Sequence, residues 1–317
     1  MKRKWGLVLH VFLACAGVAL LVRAFAGVDW SATLRAISST GPLSLIALVP
    51  FGIALGLDAF ACSALSRVRA AELFVVRVVT EALHFGAPGG VVASEVAAIA
   101  LYAKRFGMPV REATALAVSR KQLVMRSHAA YLALGALFAG SVLATFHRRA
   151  PLLVLASAVV LLILSFVVGA CFDRVTKTRR ELTSRATVLF FCAWVAEAVE
   201  TAVIAHVVGA RISLESVVAV ECAISLARSA VAFVPGGLGV QDLGYTSALG
   251  ALGVPHDTAV AFALLKRAKE IAWIAAGFAL SALIRDRRTT DAVAPLSIGT
   301  QGSWPSASAP SSGASPG

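Results

Sequence analysis

The sequence predicts an all-α, polytopic membrane protein of about six transmembrane helices plus two re-entrant helical hairpins in an inverted repeat. Three observations predict it. Hydrophobic residues make up 58% of the 317 residues, charged ones only 15%, and the mean hydropathy is +0.83, a balance that calls for the bilayer as solvent. The Lys and Arg residues fall in short clusters between apolar runs. A set of turn and charge motifs occurs twice, about 147 residues apart.

The first element is Lys2-Arg3-Lys4 followed by the apolar stretch Trp5 to Val22. Ala24-Phe25-Ala26 would also suit a signal-peptidase site. An uncleaved first span over 5–26 is the expectation. Further apolar segments run over 41–65, 70–87, 91–103, 113–146, 150–172, 186–210, 216–234, 238–252 and 256–284. Together they make residues 1–288 one integral membrane domain. The remainder, 289–317, is rich in Ser, Ala, Pro and Gly and reads as a disordered tail.

The repeat orders these segments into two copies, about 41–146 and 186–284. Pro88-Gly89-Gly90 with Glu95 answers Pro235-Gly236-Gly237 with Asp242, and Arg120-Lys121 answers Lys266-Arg267. Basic clusters Lys2 to Lys4, Arg67 with Arg69, Lys104-Arg105 with Arg111, Arg174 to Arg185 and Arg285 to Arg288 read as cytoplasmic. Keeping Arg67 and Lys104 on one side makes the intervening segment a hairpin turning at Pro88-Gly89-Gly90, because its second arm, 91–103, is too short to span. Counting onward, the second copy starts from the opposite face. Both termini are then cytoplasmic. The segment 216–234 is almost long enough to cross, so an eight-span alternative stays open.

Ionisable residues inside hydrocarbon cost about 2.5 to 3.5 kcal/mol each on insertion scales, and this chain has many. Glu95 and Asp242 follow each PGG turn, where a helix N-terminus favours an anion; they either cap those helices or pair with a base facing a cavity. Arg120, Lys121, Lys266 and Arg267 lie two to three turns into the following spans. They either form salt bridges to Glu95 and Asp242 or contact phosphate, and phosphate contact is the expectation. Spacings on single helices suggest buried pairs of Arg77 with Glu81, Glu197 with Thr201, and Glu221 with Arg228.

Other function classes leave no trace. His84, His128 and His206 have no metal-ligand spacing, and GxSxG, GxxxxGK[ST] and GxGxxG motifs are absent. Neither catalysis, a metal nor a cofactor is therefore expected. The net charge of +12 is dispersed among loops facing anionic lipid headgroups, which argues against nucleic acid. The five cysteines sit in apolar segments without CxxC spacing.

Arg228 to Glu270, RSAVAFVPGGLGVQDLGYTSALGALGVPHDTAVAFALLKRAKE, resembles the C-terminal signature of the lysylphosphatidylglycerol synthase transmembrane region family, also described as flippase-like or uncharacterised protein family 0104. PGGVVASEVAAIALYAKRFG is similar to that family's first motif, and VPGGLGVQD with LLKRAKE looks closest to its hopanoid-associated branch. Asp242 stands where Glu is common, and Val91 to Ser94 replaces the usual wording after the first PGG.

The resemblance implies a bacterial inner-membrane lipid flippase or related transporter. Anionic phospholipid, polyprenyl or hopanoid-type lipids are its substrates, and lipid-biosynthetic enzymes are candidate partners. Carried over by position, it points to the turns Pro88, Gly89, Gly90, Pro235, Gly236 and Gly237, and to Glu95, Asp242, Lys266 and Arg267. Two rival expectations are an ion-coupled carrier of a small anion and a non-transporting membrane partner of such enzymes.

Overall fold

A computed structural model describes residues 19–87, 90–176, 184–230, 237 and 239–292. The described residues form helices and turns, in two compact units, 1–281 and 282–317. Within the second unit the described part is the end of the last helix, which runs through Ala292 and so past the Arg288 boundary where the tail was expected to begin. Residues 293–317 lie outside the described residues.

The first well-defined helix, α1 (Trp30–Thr40), was absent from the apolar segments because WSATLRAISST is half polar. Its start is nonetheless encoded: the Asp29 carboxylate accepts the Ser31 and Ala32 amides at 2.9 and 3.1 Å, an N-cap that satisfies otherwise orphaned donors. A 3-10 stretch, Gly41–Ala47, leads into α2 (Leu48–Leu65).

The first hairpin is α3 (Ala70–Gly86) and α4 (Gly90–Phe106), packed against each other. Pro88 and Gly89 lie outside the described residues, but Gly90 shows why the turn needs glycine. A Cβ there would sit 1.9 Å from the His84 carbonyl oxygen, far inside contact distance. Helices α3 and α4 are thus packed neighbours on either side of Pro88-Gly89.

Next come α5 (Val110–Phe138) and α6 (Gly140–Phe146), bent by 87° at Ala139. The single span expected over 113–146 is therefore broken. Hydropathy does not register such a break, since Ala139 and Gly140 prolong the apolar run while weakening helix continuity. Helices α7 (Ala150–Thr176) and α8 (Ser184–Val207) follow. The α7 face bearing Leu152, Val159, Ile163 and Phe166 is more than half exposed, as a lipid-facing helix should be.

The second hairpin-like pair is α9 (Leu214–Ala230) and α10 (Val240–Ala251), which pack together, and α11 (His256–Ala292) closes the chain. Pro235 and Gly236 lie outside the described residues. Gly237 takes φ 59° and Gly239 φ 76°, left-handed values that favour glycine.

Among the described residues three helical stretches are long and apolar enough to cross a membrane, 30–65, 150–171 and 184–207, or four if bent α5 and α6 count as one. The segment 5–26 lies mostly outside the described residues. Helix α11 is as long as a span needs but carries Lys266, Arg267, Lys269 and Glu270 in its first half. Helix α2 packs along α8, and α5 along α7 and α8. One buried cluster joins α2, α3, α4, α5 and α8 around Leu73, Tyr102 and Phe190, and another joins α8 to α11 around Ile204, Tyr245 and Phe262. These packings aim the charged side chains inward.

Candidate functional site

Two sets of buried charges stand inside this apolar body. In the first, Asp58 of α2 accepts Arg120 Nε at 3.0 Å and Nη2 at 2.7 Å, a bidentate grip, and lies 3.1 Å from Arg77 Nε. Arg77 also reaches Glu81 at 2.8 Å, so the pair expected from i, i+4 spacing forms. Glu95 receives Arg120 Nη1 at 3.3 Å and Lys121 Nζ at 3.7 Å.

In the second set, Lys266 lies 2.9 Å from Glu221 and 3.4 Å from Glu200, and donates to the Tyr245 hydroxyl at 2.7 Å. Lys269 lies 3.0 Å from Glu200. Arg267 bonds Asp242 through Nε at 2.8 Å and Nη2 at 2.7 Å, and Glu270 through Nη1 at 2.6 Å. Asp242 also accepts the Gly239 amide at 2.9 Å. The cap and the ion pair, set out as alternatives for Asp242, thus coexist.

The two sets correspond at the basic dipeptides. Arg120 and Lys266, the first base of each dipeptide, take an acid from the helix that precedes their hairpin: Asp58 from α2, Glu200 from α8. Lys121 and Arg267, the second base, take the acid that follows the PGG turn. Adjacent residues on a helix point about 100° apart, which is why each dipeptide serves two partners.

These pairings correct two expectations. Glu221 pairs with Lys266 rather than Arg228. Thr201 donates to Glu221 rather than to Glu197. Of the two roles set out for Arg120, Lys121, Lys266 and Arg267, the structure shows the ion pairs, with Arg120, Lys266 and Arg267 each held by carboxylates. Burying two charges is tolerable when the geometry is good and the remaining valences are filled; here Arg77 Nε and Glu200 Oε1 are held by ion-pair proximity without a hydrogen bond.

What stays open is a cavity of about 190 Å³ between α2, α3, α4, α5, α8 and α9. Its lining includes Glu81, His84, Glu95, Lys121, Trp194, Glu197 and Arg228. Lys121, with its side chain 40% exposed, is the dipeptide base most open to a ligand, against 9% for Arg120 and 6% for Lys266. His128 stacks on Trp194 with ring centres 3.9 Å apart and shares a 2.7 Å hydrogen bond with Ser225, tying α5, α8 and α9 behind the cavity wall.

Sequence reasoning left Asp58 and Glu200 without a role at the site. Their signal was a lone charge in an apolar helix, but Arg120 lies 62 residues from Asp58 and Lys269 lies 69 from Glu200, which no local spacing reveals.

Compared with known proteins, residues 7–277 match the family model described as lysylphosphatidylglycerol synthase TM region. No curated protein matches the chain.

Proposed function

The chain belongs to the lysylphosphatidylglycerol synthase TM region family, and from that premise we propose that it moves a phosphate-bearing lipid between leaflets as a flippase-type transporter. The observation that carries this reading is the polar cavity itself. A charged pocket beside a half-exposed lysine, inside helices whose outer faces are apolar, suits a headgroup crossing while its tails remain in hydrocarbon.

In this reading the chain has six spans, with α11 as a span because its charges are neutralised internally. The two hairpins enter from opposite faces of a bacterial inner membrane, and both termini are cytoplasmic. Alternating access opens the cavity first to one leaflet and then to the other. Membrane lipids are the partners, and no bond is made or broken.

The test is leaflet distribution of labelled phospholipid, with a labelled hopanoid-type lipid as a comparison, in proteoliposomes carrying the purified protein. Movement by wild type that is lost in Lys121→Gln supports the reading. Wild-type traces equal to those of empty vesicles would overturn it in favour of a non-transporting membrane partner.

A further inference from the structure

The second charge cluster does not balance. Glu200, Glu221, Asp242 and Glu270 face Lys266, Arg267 and Lys269, four carboxylates against three cations, with side chains 1 to 7% exposed for the acids and 5 to 15% for the bases. The first cluster has no cation to lend, because Arg77, Arg120 and Lys121 are matched by Asp58, Glu81 and Glu95. Arg126 bonds Ser165 and lies over Phe166, on the side of α7. Arg228 and Glu197, both lining the cavity, add one charge of each sign, so the surplus stands. A buried carboxylate without a counter-charge takes up a proton rather than stay ionised.

A second anomaly says which one. Gln241 of α10 is 2% exposed and donates its amide nitrogen to Glu270 Oε1 at 2.9 Å, while its own carbonyl oxygen meets no donor among the described residues. The two ends of a glutamine amide have the same shape and differ only in hydrogen bonding. Turned over, the amide sets its carbonyl against Glu270 Oε1, an arrangement that holds only when Glu270 carries a proton to donate. The amide nitrogen then meets Gly237, which borders that end of the side chain and whose carbonyl otherwise takes a 3.5 Å contact from Arg267. One proton removes both the surplus charge and the orphaned oxygen.

The other acids are poorer hosts. Glu221 accepts from Lys266, Tyr245 and Thr201, Asp242 from Arg267 twice and from the Gly239 amide, and Glu200 has two lysines within 3.4 Å. Such donors favour the carboxylate. Glu270 has one cation, Arg267, and shares it with Asp242. The other charged groups around it are Arg228 and Glu221 from α9 and Glu200 from α8. Helices α2 and α3 meet α11 through Phe51, Gly52, Val78 and Ala82, which carry no charge.

We infer that Glu270 holds an exchangeable proton, donated to the Gln241 carbonyl, and that this proton is the coupling ion of the α9–α10 pair. The link is Arg267, which holds Asp242 at the start of α10 and reaches the Gly237 carbonyl before it. When the proton leaves to water, Glu270 becomes a full competitor for that guanidinium. The proton site stands by itself, whereas its coupling to lipid movement rests on the transport reading above.

The test follows the full chain, purified in detergent, by infrared spectroscopy as the pH is raised from neutral. Wild type should show a protonated-carboxyl band that shifts in heavy water and disappears in alkali. Glu270→Gln should lack it, and Gln241→Leu should shift it without removing it. Because Gln stands in for the protonated acid, Glu270→Gln should keep the thermal midpoint at neutral pH, whereas Glu221→Gln, which strips Lys266 of its closest carboxylate, should lower it. Absence of the band in wild type, or a band that survives Glu270→Gln and is lost in Glu197→Gln, overturns the assignment, as does a midpoint loss in Glu270→Gln equal to that in Glu221→Gln. Lipid movement in proteoliposomes under an imposed pH gradient separates the two readings. The band without movement removes the transport proposal alone; movement without the band, and indifferent to the gradient, removes this one alone.

Discussion

Lys121 and Arg267 are each the second base of a basic dipeptide and each ion-paired with the acid five residues past a Pro-Gly-Gly sequence, yet their side chains are 40% and 15% exposed. Arg267 has two carboxylates and a close bidentate geometry; Lys121 has one carboxylate at 3.7 Å. The pattern is shared and its use is not. The second base of one dipeptide is sealed, and that of the other is open to the cavity.

Lys121 is accordingly separable from the fold. A half-exposed ion pair contributes at most about 1 kcal/mol, so Lys121→Gln should leave the thermal midpoint of the purified protein nearly unchanged while abolishing lipid movement. A large drop in midpoint would instead place Lys121 among the structural cations.

Asp58 should behave in the opposite way. Asp58→Asn strips Arg120 and Arg77 of a shared buried partner, and leaving buried charges unpaired costs about 3 to 5 kcal/mol. Yield and thermal midpoint should fall sharply, and adding Arg120→Gln should restore part of the loss. A double variant no better than the single one would show that the two residues are not energetically coupled.

Glycine substitutions should split by position. Gly90→Ala drives a Cβ against the His84 carbonyl at 1.9 Å and should destabilise the first hairpin by about 1 to 3 kcal/mol. Gly56→Ala, within α2 and with nothing within 4 Å of the added carbon, should stabilise by about 0.5 to 1 kcal/mol. Denaturation of the two variants side by side checks both signs.

The cap of α1 carries a pH signature. Hydrogen bonds from the Ser31 hydroxyl, and then from the Ala32 amide, hold the Asp29 carboxyl below the usual carboxylate range. A depressed folded-state value contributes stability above the unfolded value and loses it as pH falls through the folded one. Amide exchange at Ser31 and Ala32 should therefore accelerate in acid below the ordinary carboxylate range, and Asp29→Ala should remove that pH dependence.

The charge inventory was legible in the sequence, as was the matching of Arg120-Lys121 with Lys266-Arg267, because each is a local pattern. Arg77 and Glu81 could be paired for the same reason. The partners of Arg120 and Lys266 could not, since Asp58 and Glu200 reach them only through the packing of α2 and α8 against their neighbours. The kink at Ala139 escaped because small residues keep an apolar run apolar whatever the helix does. Helix α1 escaped for the converse reason, its polar composition concealing a good cap. Arg228 was assigned to Glu221 by spacing along one helix, while Lys266 from another helix reached that acid at 2.9 Å.

The first charge cluster sets three carboxylates, Asp58, Glu81 and Glu95, against three cations, Arg77, Arg120 and Lys121. Its formal sum is zero. A membrane potential works about 2.3 kcal/mol per 100 mV on each uncompensated charge carried across, and does no net work on a balanced group moving as a unit. The second cluster sets Glu200, Glu221, Asp242 and Glu270 against Lys266, Arg267 and Lys269, leaving one negative charge. Voltage thus has a handle on the second cluster and none on the first.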